Sequence, residues 1–167
     1  MTTQAAFTAE EWTSLRILPS LVAGSVSAAD PSGLFGSMKE AMAGMKGMLE
    51  SLQGGTKIEL LTAMLADKNM PGMPDAKTLL GEGNREQQVA NLKSSVLTRI
   101  KEATSLLSRK GTPEEVAAYK QMIVSVAQKT ADASKEGGVL GFGGVRVSDV
   151  EQSFLNEVTY PPAKPGA

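Results

Sequence analysis

The sequence predicts an all-α fold, a single-domain bundle of six or seven helices whose pattern of breaks is compatible with two related helical halves. Apolar residues recur at every third or fourth position through most of the chain, the period of a rod with one buried face. Aromatic residues make up 4% of a chain that is 41% hydrophobic. A core of Ala, Leu, Val and Met suits closely packed helices better than sheets. Glycine and proline gather mainly between the periodic segments, where a chain of rods must reverse.

Met1 to Phe7 reads as a flexible end, followed by a helical domain over residues 8–158. Thr8-Ala9-Glu10-Glu11 has capping-box form: a hydroxyl for the first orphan amides and a carboxylate three residues on. Trp12, Leu15, Leu18, Val22, Val26 and Ala29 then share one helical face. Pro19 is expected to kink this helix or split it near Leu18, because proline has no N–H and crowds the carbonyl four residues back. Asp30-Pro31 ends it.

A second helix is predicted over 32–52, with Gly44 and Gly47 interrupting it; each mid-helix glycine costs about 1 kcal/mol against alanine. Thr56-Lys57-Ile58-Glu59 resembles another capping box, opening a shorter helix through Leu61 and Leu65 to near Asp67. Residues 69–75 form a loop, a short helical turn spans Ala76 to Leu80, and Gly81-Glu82-Gly83-Asn84 breaks the chain again. From Arg85 to Arg109, Val89, Leu92, Val96, Ile100, Ala103 and Leu107 mark the strongest periodic segment, roughly 37 Å long at the α-helical rise.

Lys110-Gly111 closes that helix. Thr112-Pro113-Glu114-Glu115 starts the next, with a capping threonine, proline at the first helical position and glutamate at the third. Its predicted inner face is Val116, Tyr119, Ile123, Ala127, Thr130 and Ser134. These two long helices are the expected antiparallel centre of the bundle. Ser148-Asp149-Val150-Glu151 caps a final short helix with Phe154 and Val158 inward, and residues 159–167 read as a proline-rich flexible tail.

The organising feature is the stretch from Glu136 to Glu151, in which Gly137, Gly138, Gly141, Gly143 and Gly144 make a corner holding Phe142. The earlier break from Asp30 to Gly36 has a similar form around Phe35, which is the basis for two related halves. A glycine corner before a helix can also take an anion on backbone amides, with Arg146 and Ser148 as the candidate residues. However, Val145-Arg146-Val147 follows where a phosphate loop needs Gly-Lys-Ser/Thr, so a structural corner is the favoured reading.

Composition narrows function by exclusion. The chain has no cysteine and no histidine, which removes thiol chemistry, zinc–thiolate sites and the commonest general base. With no recognisable catalytic motif, this weighs against an enzyme. Carboxylate pairs can catalyse without either residue, but nothing singles out such a pair. Net charge is −1, from 17 basic and 18 acidic residues, so the overall field does not recruit nucleic acid. Lys93, Arg99, Lys101, Arg109 and Lys110 stand against Glu102 in one segment, without interleaved aromatics, and read as a solvated face. No apolar run approaches the roughly 18 residues of a membrane span, and no secretory pattern opens the sequence. The expectation is a cytoplasmic protein with no nucleic-acid or membrane partner.

Met38, Met42, Met45 and Met48 lie on one face of the second predicted helix. A methionine stripe is either core or an adaptable surface for a protein partner or a second copy.

The Ala28-Ala29-Asp30-Pro31-Ser32-Gly33 corner, followed by a helix carrying Glu40, resembles the corner of tellurite-resistance TerB-like proteins. Ser148 to Leu155, where Ser-x-x-Glu precedes an apolar helix, matches more loosely. The resemblance implies a helical domain of duplicated hairpins with an acidic divalent-cation site, and Asp30, Glu40 and Glu151 as its ligands. Pro31 stands where that pattern has glycine, and the second corner has no acid matching Asp30. No other cofactor is implied. The sequence thus favours a non-enzymatic interaction or scaffold protein that self-associates through the methionine-bearing helix. A cation-binding stress protein is the alternative, and a carboxylate-dependent enzyme the third reading.

Overall fold

The structure, a computed structural model, describes residues 2–27, 58–69, 71–72, 74–136 and 156. Among the described residues there are five α-helices, a 3-10 turn at Gln4–Ala6 and no strand, as an all-α fold requires. The helices are α1 (Ala9–Ser27), α2 (Glu59–Ala66), α3 (Ala76–Leu80), α4 (Arg85–Lys110) and α5 (Pro113–Glu136). The predicted helix over 32–52, the one over 148–158 apart from Asn156, the two glycine corners with Phe35 and Phe142, and the tail over 159–167 lie outside the described residues.

Among the described residues the bundle centres on α1, which packs against both long helices more extensively than they pack against each other. This corrects the expectation that α4 and α5 form the centre. The reason lies in the sequence of α1. Every side chain from residue 17 through 23 is buried, so the helix has no solvent face over nearly two turns. Trp12, Leu15, Leu18, Val22 and Val26 lie in the core as predicted, and Ile17, Leu21 and Ala23 join them from other sides. Two smaller helices pack on these: α2 on α5, and α3 on α4.

Pro19 does not split α1, which runs unbroken from Ala9 to Ser27. An interior proline still deprives the carbonyl four residues back of its helical donor. Here that carbonyl belongs to Leu15, and it accepts a hydrogen bond of 2.8 Å from the Tyr119 hydroxyl on α5. Tyr119 is 1% exposed and Leu15 0%, so water cannot supply either partner. The contact replaces a bond within α1 by a bond between α1 and α5, fixing their register.

Helix starts follow local chemistry closely. Glu11 N–H donates to Thr8 Oγ1 at 3.2 Å while Thr8 N–H donates to Glu11 Oε2 at 2.7 Å. Thr112 and Glu115 repeat the arrangement at 2.9 and 3.3 Å for α5. Asn84 and Gln87 form a third reciprocal box, opening α4 from what reads in the sequence as a plain glycine break. The expected box at Thr56 is not how α2 begins. Its N-cap is Ile58, with no side-chain cap.

At the end of α3, Gly81 has φ 65°, and a Cβ there would come within 2.8 Å of Asn91 Nδ2. That amide donates to the Leu80 carbonyl at 2.9 Å, so a glycine lets α4 cap α3 directly. Gly111 closes α4 as expected, but in extended rather than left-handed backbone. Its hydrogen atom matters for space, since a Cβ would sit 3.0 Å from the Leu107 carbonyl.

Thr2 and Phe7 pack against the helices. Thr2, 4% exposed, donates through its N–H to Glu115 Oε1 at 3.3 Å. Phe7 stacks on Trp12 with ring centroids 5.7 Å apart, and Lys110 Nζ lies 5.6 Å from the Phe7 centroid. Lys110 also pairs with Glu11 at 2.5 Å, so the N-terminal turn covers the corner where α4 gives way to α5.

Replacing Tyr119 by Phe removes only the hydroxyl and leaves a buried carbonyl unpaired. The expected loss of unfolding free energy is about 1–3 kcal/mol, measured by denaturant unfolding with the slope unchanged. A loss near zero would show that the Leu15 carbonyl is satisfied without Tyr119.

Candidate functional site

The residues that the sequence singles out for chemistry are not brought together among the described residues. Asp30, Glu40 and Glu151, the methionines at 38, 42, 45 and 48, and Arg146 and Ser148 all lie outside them. Among the described residues no group of three or more His, Cys, Asp or Glu converges so as to hold a metal ion. None of the described helices is long and apolar enough to cross a membrane.

Two polar clusters fix how the described elements meet, one between helices and one between α5 and the N-terminal segment. Asp67, at the end of α2, accepts from Trp12 Nε1 at 2.8 Å and from Arg16 at 2.9 Å through Oδ2. Arg16 also donates to the Asp67 backbone carbonyl at 2.6 Å, and Asn69 N–H donates to Oδ1 at 3.0 Å. A carboxylate with so many donors is stabilised in its charged form. The Trp12 indole, then the Asn69 amide and the Arg16 charge, hold it below the usual aspartate range. The second cluster is Glu115, which is 5% exposed and accepts from the backbone N–H groups of Thr112 and Thr2. The Tyr119 hydroxyl is pushed far above its ordinary value by burial, so it stays a donor at any physiological pH.

Among the described residues two hollows lie along one side of α4. A cleft of about 300 Å³ runs between the first turns of α1 and the C-terminal half of α4, with Leu15, Ala103 and Leu106 in its lining and Glu10, Glu11 and Arg109 also on its wall. A second, more open hollow of about 460 Å³ continues toward α3, lined by Asn91, Ser95 and Thr98 among others. Arg99 and Glu102 belong to both. Arg99 is half-buried and Glu102 exposed. Among the described residues neither side chain makes a hydrogen bond or ion pair. Asn91, Ser95, Thr98 and Glu102 recur at the helical period, so this stripe is visible in the sequence. The sequence assigns it no role, because nothing local reveals that α1 and α3 wall it in.

The described residues make an all-α frame in which Asp67, Glu115 and Tyr119 serve the packing, with hollows along one side of α4. No family model, no curated protein and no solved structure matches the chain.

The depressed Asp67 titration has a definite sign. Its contribution to stability is fully present above about pH 4, where the carboxyl is ionised in the unfolded chain as well. It fades as pH falls through the lower folded-state value. Because Trp12 is the single tryptophan, its fluorescence followed in acid is expected to report this loss. In the Asp67→Asn variant the acid-dependent change below about pH 4 should disappear; an identical titration in both proteins would assign the change to other carboxylates.

Proposed function

We propose that the protein is a cytoplasmic, non-enzymatic interaction or scaffold protein, a bundle of six or seven helices that self-associates through the methionine-bearing face of residues 38–48. The observation that carries the reading is the spacing of Met38, Met42, Met45 and Met48 along one helical face. Support comes from how the described residues use their polar groups. Asp67 and Tyr119 are engaged in joining helices, Glu115 in capping α5 and holding Thr2, and Glu11 in capping one helix and pairing with the end of another. The frame therefore has well-defined helix contacts on which an adaptable thioether surface can be presented.

A divalent-cation reading centred on Asp30, Glu40 and Glu151 rests on the similarity of the first corner to TerB-like proteins. An ion that binds only the folded chain must raise its melting temperature. Calcium and manganese titrations that leave melting unchanged would remove this alternative.

Self-association predicts a mass by light scattering that rises with protein concentration above that of one chain. The double substitution Met42→Glu, Met45→Glu should restore the single-chain mass while the helical circular dichroism persists. A wild-type chain that stays monomeric at all concentrations contradicts the proposal. So does a double variant that unfolds, because burying two carboxylates in a core is destabilising in its own right.

A further inference from the structure

We propose that the cleft between α1 and α4 binds a small zwitterion of the apolar α-amino acid class, independently of any self-association. The argument begins with charge. Arg99 and Glu102 stand three residues apart on α4, about 5 to 6 Å between Cβ atoms, near enough for their ends to take adjacent charges of one small molecule. Both line the cleft and its neighbouring hollow, and among the described residues neither is paired, with the other or with any other group. A half-buried guanidinium offers a fork of donors matched to a carboxylate, and Glu102 offers only acceptors, which suit an ammonium group.

The remaining charges on the wall set the net charge of the ligand. Glu11 is neutralised by Lys110, leaving Glu10 and Glu102 against Arg99 and Arg109. The lining is therefore balanced, which favours a ligand carrying one charge of each sign over a simple anion or cation. Beside these charges the floor is the small apolar edge of Ala103 and Leu106, 6% and 8% exposed, flanked by the aliphatic stems of the charged side chains. A volume of about 300 Å³ is at the small end of ligand pockets and suits a single branched side chain. The ligand carboxylate lies on Arg99, its ammonium group on Glu102, and its side chain over Ala103 and Leu106.

The test uses the full chain and four probes: L-leucine, 4-methylpentanoate (no amine), 3-methylbutylamine (no carboxylate) and inorganic phosphate. Binding is followed by amide chemical-shift changes and by calorimetry. Leucine is expected to saturate the α1–α4 cleft with a dissociation constant of about 1 mM, as befits a small open site. The two truncated analogues and phosphate should bind at least about tenfold more weakly, since each loses one of the paired charges. Arg99→Ala and Glu102→Gln should each weaken leucine by a similar factor. The analogue series on the wild-type chain keeps the test decisive even if a variant folds poorly. No saturable leucine binding, shifts confined to residues outside the cleft, or equal binding of leucine and 4-methylpentanoate would overturn the proposal. Phosphate binding as tightly as leucine would overturn it too, by marking a plain anion site.

Discussion

The fold depends on how the middle of α1 can be buried on all sides while carrying a proline there. A helix at the centre of a bundle has no water to satisfy a carbonyl that loses its N–H partner, and an unpaired one is expensive. Tyr119 supplies the missing donor from α5. Its ring fills core volume and its hydroxyl reaches the one backbone acceptor in α1 that Pro19 strands. The pairing also explains why α1 stays continuous: the group that would drive a break is stabilised from outside the helix. Neither residue makes sense alone, since a buried tyrosine hydroxyl and an interior proline are each liabilities.

Around that contact, the ends of the helices are tied by short polar links. Asp67 anchors α2 to the first turns of α1 through Trp12 and Arg16. Lys110 and Glu115, on either side of the turn between α4 and α5, hold Glu11 and Thr2. Exposed ion pairs such as Lys110–Glu11 contribute little individually. Their effect here is positional, bringing the beginning of α1 beside the end of α4. That juxtaposition creates the cleft, whose lining includes Leu15, the same residue whose carbonyl meets Tyr119. The concave surface therefore sits on rigid elements rather than loops, which favours a defined geometry for anything bound there.

Local chemistry was legible and long-range chemistry was not. The boxes at Thr8 and Thr112 need only four consecutive residues, and both are present in the structure. The box at Asn84 has the same spacing, but the glycines before it read as a mere interruption. On α5 the periodic face correctly includes Tyr119, Ile123 and Ala127, yet Met122 and Val126 are equally buried. A helix that contacts both α1 and α2 buries a wider arc than a single stripe. The roles of Thr2, Arg16 and Tyr119 are invisible in sequence because their partners lie 113, 51 and 104 residues away. For the candidate site, the polar face of α4 is readable as a face. Its closure into a cleft is not, because that depends on where α1 and α3 lie.

The most direct measurement of this account is a double-mutant cycle between Pro19 and Tyr119, read as unfolding free energies of the wild type, Pro19→Ala, Tyr119→Phe and the double variant. With alanine at position 19 the Leu15 carbonyl regains its helical N–H, so the loss of the Tyr119 hydroxyl should matter less by about 1 kcal/mol or more. If the two substitutions instead add within about 0.5 kcal/mol, the hydroxyl is not standing in for the proline's missing donor, and the constraint placed at the centre of this fold is the wrong one.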